Sequence, residues 1–224
     1  MAQTVSFVGL GAMGFAMAKR LVEKQMRVVG FDINPEAVAR LEAAGGHAAA
    51  SSAEAAAQGD VLIVLVVNAE QAEQVLFADG ALDALAPGKT VVLMATCAPA
   101  RVAGIAEKVE AAGRRFVDAP ISGGVPGIEA GTLTIMAAAP DDVFAEMKPL
   151  FLEIGSNTYH LGTKAGQGSA MKTVNQLLAG VHIAAAGEAL ALAEQAGIDP
   201  ALALKILGGS AASSWMLNNR GPRM

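Results

Sequence analysis

The stretch Val5-Ser6-Phe7-Val8-Gly9-Leu10-Gly11-Ala12-Met13-Gly14 decides the fold. Its first half is apolar, which predicts a short buried strand, and its second half carries glycines in the spacing G-x-G-x-x-G. The alanine-rich segment from Ala12 to Gln25 predicts a helix directly afterwards. A strand, a glycine-rich turn and a helix in this order are typical of a dinucleotide-binding βαβ unit. The glycines let the backbone approach a pyrophosphate, and the helix N-terminus attracts its charge.

An aspartate at the end of the second predicted strand indicates which dinucleotide is bound. Asp32 follows the strand predicted over Arg27 to Phe31 and lies 21 residues after Gly11, where a carboxylate accepts hydrogen bonds from an adenosine ribose. Ile33 and Asn34 follow it, with no arginine or lysine to balance a 2′-phosphate, so the sequence favours NAD over NADP. The alternative is a plain glycine turn with Asp32 as a solvated loop acid. The predicted cofactor-binding residues here are Gly9, Leu10, Gly11, Ala12, Met13, Gly14 and Asp32.

The pattern of predicted secondary structure changes near residue 163. Before it, β-branched runs alternate with alanine-rich stretches, as in βαβ units around a parallel sheet. Further strands are predicted at Val61 to Val67, Thr90 to Met94, Arg115 to Asp118 and Leu133 to Ala138, and further helices at Pro35 to Ala44, Glu70 to Leu76, Pro99 to Ala112 and Asp141 to Phe151. From Gly166 one long helix is predicted to about Ala196, then another over Ala201 to Leu207. The predicted fold class is α/β, a Rossmann-type doubly wound sheet domain over residues 1–163 followed by an all-α domain over residues 164–224.

Composition excludes several classes of protein. With 53% hydrophobic and 17% charged residues, the 224-residue chain is globular rather than disordered. A net charge of −5, no basic run and 4% aromatic residues argue against a nucleic-acid partner. The single cysteine, Cys97, excludes an internal disulfide, and the first residues lack a signal-peptide pattern, so we expect a cytoplasmic protein. The most apolar stretch, Thr173 to Gly187, is 15 residues long and contains polar side chains, which predicts a buried helix rather than a membrane span.

A second motif, Asp118-Ala119-Pro120-Ile121-Ser122-Gly123-Gly124, follows a predicted strand. A serine followed by two glycines presents a hydroxyl and consecutive backbone N–H groups, which suit a carboxylate. Ser122, Gly123 and Gly124 are therefore candidates for substrate binding, and an ordinary strand-to-loop turn is the alternative.

A third motif surrounds Lys172, the only formal charge between Lys164 and Glu188. An ammonium group near the start of an apolar helix has its pKa lowered by burial, and such a lysine can relay a proton. Asn175 and Gln176 follow at i+3 and i+4, on the same helical face, where they would orient the lysine or a substrate. The alternative is a lysine whose amine reaches water along the helix surface.

Together, in this order and spacing, the three motifs resemble the β-hydroxyacid dehydrogenases, the family of 3-hydroxyisobutyrate dehydrogenase, tartronate semialdehyde reductase and L-threonate dehydrogenase. The resemblance covers the whole chain and implies that the glycine-rich turn binds the dinucleotide, that Ser122 to Gly124 hold the substrate carboxylate, and that Lys172 is the general acid/base. It also implies that Thr96 lies near nicotinamide and substrate, whereas a helix N-cap is the plainer interpretation of that residue. Relatives continue for further helices beyond the position of Met224, so we expect an excerpt or an incomplete site.

The resemblance implies an NAD-dependent enzyme that interconverts a small hydroxy acid, of the L-threonate or 3-hydroxyisobutyrate type, and its semialdehyde or keto acid. Asn175-Gln176 is similar to the tartronate semialdehyde and threonate members, which points to a hydroxylated acid. The alternatives are a tartronate semialdehyde reductase and a non-catalytic NAD-binding module. A 6-phosphogluconate dehydrogenase is disfavoured because no His-Asn pair follows the lysine, and an imine reductase is disfavoured by Lys172 itself. We expect no metal, since the histidines are dispersed, and a homo-oligomer, a dimer or tetramer, because small residues over Ala184 to Gly187 permit close helix contact.

Overall fold

The computed structural model describes residues 3–224, so the first two positions of the predicted sheet domain lie outside it. The chain divides into two compact units, the first ending at Lys172 and the second running over Thr173–Met224. This division falls within a long helix. The boundary predicted between residues 163 and 164 stays a prediction.

Most of the helices and strands belong to the first unit. In residues 3–224 the strands are β1 (Thr4–Val8), β2 (Arg27–Phe31), β3 (His47–Ala48), β4 (Val61–Val64), β5 (Thr90–Leu93), β6 (Arg115–Asp118), β7 (Ile121–Ser122), β8 (Thr134–Ala137) and β9 (Asn157–His160). The helices are α1 (Ala12–Glu23), α2 (Pro35–Ala43), α3 (Ser52–Gln58), α4 (Ala69–Glu73), α5 (Ala81–Ala84), α6 (Pro99–Ala111), α7 (Gly124–Glu129), α8 (Asp141–Ile154), α9 (Gln167–Gln195), α10 (Pro200–Gly208) and α11 (Trp215–Arg220). A π-helical turn follows α4 over Gln74–Ala78, and a 3-10 turn follows α11 over Gly221–Arg223.

The main sheet has six parallel strands in the order β3-β2-β1-β4-β5-β6. The chain starts in the middle, winds outward to β3, returns to the middle and winds outward to β6, which is the doubly wound arrangement. The predicted fold class, a Rossmann-type sheet domain followed by a helical region, is confirmed.

One strand assignment needs correction. The strand predicted over Leu133 to Ala138 forms β8, which pairs with β7 and β9 in a separate three-stranded sheet rather than extending the main one. The sixth strand of the main sheet is the two-residue β3. Pattern analysis missed β3 because His47 and Ala48 are exposed and form no apolar run.

The central strands of the main sheet are buried on both faces. Along β4, Val61 and Ile63 belong to one apolar cluster, and Leu62 and Val64 belong to another. Since successive side chains of a strand point to opposite faces, the two clusters are the cores above and below the sheet. Helix α1 packs into the first core with Met17, Ala18 and Leu21, at helical spacing.

The register of the parallel strands aligns their carboxyl ends. Val8 pairs with Val64, Val64 with Leu93, and Leu93 with Asp118, so these four residues form one row across the sheet. Three interstrand spacings separate the ends of the row, which is about 14 Å. Ligands of doubly wound sheets bind at this edge.

The second unit consists of the rest of α9 with α10 and α11. Its part of α9 exposes large apolar side chains, among them Leu177, Leu178 and Val181. The prediction of a buried helix over Thr173 to Gly187 is therefore wrong for this structure, because α10 and α11 have nine and six residues and are too short to cover the helix. By length and composition alone α9 could cross a membrane, a test that core helices of globular proteins also pass.

Two neighbouring residues of α8 provide a test of the core beneath the sheet. Phe151 is fully buried, whereas Leu152, the next residue around the same helix, is 48% exposed. We expect Phe151→Ala to lower the free energy of unfolding by about 3–5 kcal/mol, because it leaves a cavity among packed side chains. The matched control Leu152→Ala should cost less than about 1 kcal/mol. Urea unfolding followed by far-UV circular dichroism measures both, and equal losses would contradict the assigned helix face.

Candidate functional site

The glycine-rich turn between β1 and α1 is shaped by contacts that exclude side chains. Gly9 has φ +96°, a left-handed conformation, and its N–H donates to the carbonyl oxygen of Phe31 at 3.0 Å. A β-carbon on Gly14 would overlap the carbonyl oxygen of Gly9. A β-carbon on Gly11 would meet no atom within 4 Å. Gly9 and Gly14 are thus required by the turn itself, whereas Gly11 keeps open the space in front of it.

That space is a cleft of about 520 Å³ at the carboxyl edge of the sheet. Its floor is the glycine-rich turn and the first residues of α1, where backbone N–H groups lack helical acceptors. Within residues 3–224, no lysine, arginine or histidine lines it. The lining residues are Val8, Gly9, Gly11, Ala12, Met13, Gly14, Phe31, Asp32, Ile33, Leu65, Val66, Val67, Gln71, Gln74, Val75 and Asp79. The open space at Gly11, the N–H groups and the acid Asp32 fit the pyrophosphate and ribose of a dinucleotide.

Two backbone N–H groups hold the carboxylate of Asp32 in place. Its Oδ2 accepts the N–H of Leu10 at 2.6 Å, and its Oδ1 accepts the N–H of Asn34 at 2.8 Å. A carboxylate oxygen has a second lone pair, so each can still accept a ribose hydroxyl. The side chain of Leu10 is buried in the core. Leu10 therefore supports Asp32 and does not line the cleft.

The cleft also contains residues that the sequence did not identify. Ile33 and Val67 are 90% and 77% exposed, although both are large and apolar. Strand β4 ends at Val64, three residues earlier than predicted, which leaves Val67 in the loop. Across from them, Gln74 begins the π-helical turn and donates from Nε2 to Oδ1 of Asp79 at 2.7 Å. The sequence signal that could have identified Val67 is the apolar run over Val61 to Val67, which continues past the end of β4.

The start of α9 is bound to the end of β6 through Asp118. This carboxylate is completely buried. Its Oδ2 accepts the N–H groups of Gly166 and Ser169, both at 2.9 Å, and its Oδ1 accepts the hydroxyl of Ser169 at 2.7 Å. Burial raises the pKa of Asp118, while the donors on Ser169 and Gly166 act in the opposite direction. The sequence offered one signal, an acid at the end of an otherwise apolar strand, but did not identify its partners.

Glycines allow this close approach. A β-carbon on Gly168 would overlap the carbonyl oxygen of Met136 in β8, and one on Gly166 would lie 2.9 Å from the carbonyl oxygen of Pro99 in α6. The first turn of α9 therefore packs directly against β6, β8 and the start of α6. Nothing bulkier than hydrogen fits at these two positions.

Lys172 follows Ser169 by three residues on this anchored turn. It is 8% exposed, and burial lowers its pKa below the usual range of a lysine. Its amine is therefore neutral at a lower pH than that of a solvated lysine. Asn175 and Gln176 lie three and four residues further along the same helix, in the second unit, where Asn175 is half-buried and Gln176 exposed.

The serine-glycine segment lies immediately after β6. Ser122 is half-buried in β7 and pairs in register with Thr134 of β8. Gly123 and Gly124 have φ +132° and +66°, conformations that strain any residue with a β-carbon. The backbone thus turns sharply at the glycines, directly beside the serine hydroxyl.

Thr96 lies in the loop after β5, next to the strand that ends at Asp118. Its side chain is exposed, and Ala98 rather than Thr96 occupies the N-cap of α6, so the N-cap interpretation is wrong. The neighbouring Cys97 is buried, and burial raises the pKa of its thiol to about 11, which leaves it protonated at neutral pH. Among residues 3–224 no group of three or more histidine, cysteine or acidic side chains is arranged to hold a metal ion.

Two glycines of the turn make a matched pair for experiment. We expect Gly14→Ala to destabilise the fold, because its β-carbon would overlap the carbonyl oxygen of Gly9. Gly11→Ala should change the melting temperature by no more than about 3 °C but weaken dinucleotide binding at least about tenfold, since its methyl group would fill the ligand's space. Calorimetric melting and titration with the dinucleotide separate the two effects. Unchanged binding by Gly11→Ala would contradict the placement of the pyrophosphate.

Comparison with known families and proteins agrees with this geometry. Residues 4–162 match the family described as the NAD binding domain of 6-phosphogluconate dehydrogenase. Residues 166–224 match the family described as NAD-binding of NADP-dependent 3-hydroxyisobutyrate dehydrogenase. The two matches meet just before α9.

Two dehydrogenases and one solved structure align with nearly the whole chain. L-threonate dehydrogenase of Cupriavidus necator is 40% identical over 225 residues, which is 100% of this chain and 76% of that protein. The 3-hydroxyisobutyrate dehydrogenase of Pseudomonas aeruginosa is 35% identical over 97% of this chain and 73% of its own length. The crystal structure of a 3-hydroxyisobutyrate dehydrogenase from Salmonella typhimurium superimposes with a TM-score of 0.92 at 39% identity, over 99% of this chain and 78% of that one. The chain thus spans about three quarters of these relatives, and it belongs to the β-hydroxyacid dehydrogenase family of oxidoreductases.

Proposed function

We propose that the protein is an NAD-dependent dehydrogenase that interconverts a small hydroxy acid and its semialdehyde or keto acid, with Lys172 as the general acid/base. One observation carries the proposal. Lys172 is 8% exposed and belongs to a helix whose first turn is bonded to the end of β6. The glycine-rich turn follows β1 at the same edge of the sheet. A buried lysine on a helix fixed to one strand end, and a glycine-rich turn after another strand end of the same edge, support a proton relay beside a dinucleotide.

The charges of the cleft support NAD rather than NADP as the cofactor. Asp32 and Asp79 line it, and no cationic side chain from the described part of the chain does. A 2′-phosphate on the adenosine ribose would face the carboxylate of Asp32 without a compensating charge, whereas a free hydroxyl would donate to it. The nicotinamide ring, when bound, supplies the hydride acceptor of the oxidation and the hydride donor of the reduction.

Lys172 moves the proton of the reaction. In the oxidation, the neutral amine takes the proton of the substrate hydroxyl while a hydride leaves the carbon that bears this hydroxyl. The substrate therefore loses two electrons and two hydrogens. In the reduction, the ammonium form returns the proton to the developing alkoxide. The lowered pKa of Lys172 keeps both forms accessible nearer to neutral pH than in a solvated lysine.

We assign substrate binding to the polar groups that the family resemblance implies. The Ser122 hydroxyl and the N–H groups of Gly123 and Gly124 hold the substrate carboxylate, which orients the hydroxyl toward Lys172. Thr96 completes the position next to the nicotinamide. Asn175 and Gln176 orient the lysine or the remaining hydroxyls of the substrate.

The amides after Lys172 favour a substrate with several hydroxyl groups. Sequence identity alone does not separate the two kinds of relative, since L-threonate dehydrogenases are 36–40% identical to this chain and 3-hydroxyisobutyrate dehydrogenases are 35% and 39% identical. The Asn175-Gln176 pair offers two amides to additional hydroxyl groups. We therefore expect L-threonate or a similar acid to be the better substrate, with 3-hydroxyisobutyrate and tartronate semialdehyde as comparison compounds.

We also propose that the protein works as a homo-oligomer. The small residues of Ala184 to Gly187 allow helices to pack closely, and the exposed apolar side chains of α9, such as Leu177 and Val181, offer surface to a partner.

The function is tested by measuring NAD reduction by the full-length protein with L-threonate, 3-hydroxyisobutyrate and glycerate-type acids. We expect turnover with L-threonate, and a loss of at least about a hundredfold in kcat for Lys172→Ala with the affinity for NAD unchanged. The control is Lys164→Ala, which removes an exposed lysine just before α9 and should leave kcat unchanged. Normal turnover by Lys172→Ala would contradict the proton relay. A wild-type protein that binds NAD but oxidises none of these acids would contradict the proposed substrate class and favour the alternative of a non-catalytic module.

The pH profile provides a further measurement on the same enzyme. Since the oxidation needs the neutral amine, its kcat/KM should rise with pH and level off above the pKa of Lys172, which burial places below the usual lysine range. The reduction needs the ammonium form and should fall through the same pH interval. A rise that continues to the range of a free lysine would show that the amine is solvated.

Cofactor preference is tested at the end of β2. The wild type should favour NAD by at least about tenfold in kcat/KM, and the double change Asp32→Ser with Ile33→Arg should shift the preference toward NADP, because a cation replaces an anion beside the ribose. The control is Asp83→Ser, which removes an exposed acid of α5 that does not line the cleft. A clear preference of the wild type for NADP would contradict the assignment of Asp32.

A further inference from the structure

We propose that Asp118 is a positioning residue for Lys172, which fixes the first turn of α9 through three hydrogen bonds and thereby sets where the lysine amine lies. This inference rests on the proposed function, because it assumes that Lys172 relays the proton. It assigns to Asp118 no contact with substrate or cofactor.

The hydrogen bonds of Asp118 join segments that are remote in sequence. The carboxylate ends β6, and its donors, Gly166 and Ser169, lie 48 and 51 residues later. Both carboxylate oxygens are used, one by two backbone N–H groups and the other by a hydroxyl. These N–H groups belong to the start of a helix, where no carbonyl of the helix itself is available to accept them. Asp118 therefore acts as an N-terminal cap supplied by a neighbouring strand.

A carboxylate buried at the end of a strand destabilises the fold unless its hydrogen bonds offset the loss of hydration. Removing a carboxylate from water costs free energy that an apolar side chain would not. Burial raises the pKa of Asp118, which is the expression of that cost. An apolar residue would pack against the helix without setting its rotation, whereas three directional bonds specify both the rotation and the height of the first turn.

The position of Lys172 follows from that of Ser169. The two residues are three apart on one helix, so their side chains lie on the same face with β-carbons about 5–6 Å apart. Gly166 and Gly168 bring this turn within van der Waals contact of Pro99 and Met136, so the turn has little freedom once the bonds are made. A shift of about 1 Å at a reacting group can cost about a hundredfold in rate. Loosening the first turn would move Lys172 by that order.

The burial of Lys172 depends on the same packing. With the turn released, water reaches the amine and its pKa returns toward the usual lysine range. Besides Asp118 on β6, the loop after β5 carries Cys97, on which the charge of Asp118 acts, and the exposed Lys164 lies two residues before Gly166. The thiol pKa of about 11, raised by burial and by the charge of Asp118, keeps Cys97 neutral across the pH range of the assay.

The experiment compares Asp118→Ala with the wild type in the full-length enzyme. We expect kcat for the hydroxy acid to fall by about 10–100-fold, because the lysine is displaced. The affinity for NAD, measured by calorimetric titration, should change by less than about threefold, since Asp118 does not line the cleft. The midpoint of the pH profile of kcat/KM should move upward. A residue that only stabilises the fold would leave that midpoint unchanged in the folded fraction.

Two further variants separate hydrogen bonding from charge. Asp118→Asn retains an oxygen for the two N–H groups, and its amide can donate to the Ser169 hydroxyl, so it should restore kcat to within about threefold of the wild type. Ser169→Ala removes one of the three bonds and should give a loss between those of the wild type and Asp118→Ala, with a smaller upward shift of the midpoint.

The possible results are unambiguous. Wild-type kcat and pH midpoint in Asp118→Ala would overturn the proposal, and so would a loss in a folded Asp118→Asn as large as that in Asp118→Ala. If Asp118→Ala does not fold, Ser169→Ala decides, and wild-type behaviour of that variant overturns the proposal. Lys172→Ala is measured alongside. If Lys172→Ala is itself active, the proposed function fails, whereas an inactive Lys172→Ala beside a normal Asp118→Ala removes only the role of Asp118.

Discussion

The register of the parallel strands is the constraint on which the site depends. Because β1, β4, β5 and β6 run in the same direction and in register, Val8, Val64, Leu93 and Asp118 end in one row. The segments that follow these ends carry the glycine-rich turn, the wall of the cleft, Thr96 and the serine-glycine motif. Residues from four distant parts of the sequence therefore meet at one edge, about 14 Å long, without any dedicated connection between them.

Glycines, which have no side chain, shape much of the site. Gly9 and Gly14 shape the turn, Gly11 leaves room in front of it, and Gly166 and Gly168 let a helix approach the backbone of its neighbours. Within this close framework the chain buries two ionisable groups, Asp118 and Lys172, and burial moves the pKa of the first up and of the second down. In both cases burial makes the charged form of the side chain less stable, and the pKa shift is the result. A protein retains such groups where function needs them and stability can be lost.

The membership of the β-hydroxyacid dehydrogenase family places these features in a known chemical setting. The relatives that align with the whole chain include dehydrogenases of L-threonate and of 3-hydroxyisobutyrate, which differ in the number of hydroxyl groups on the acid. The charge of the dinucleotide cleft and the amides that follow Lys172 are the features on which the proposed choices of cofactor and of substrate rest.

The sequence by itself determined the glycine-rich turn, the acid at the end of β2, the doubly wound sheet and the change to a helical region, because each is encoded by local spacing or by hydrophobic periodicity. Tertiary structure decided what depends on contacts between distant segments. The hydrogen bonds between Asp118 and the N–H groups of Gly166 and Ser169 join parts of the chain 48 and 51 residues apart, and no local sequence pattern predicts them. For the same reason the pairing of β8 in a second sheet and the exposure of α9 in its unit escaped prediction, since strand partners and helix burial are set by what the rest of the chain brings alongside.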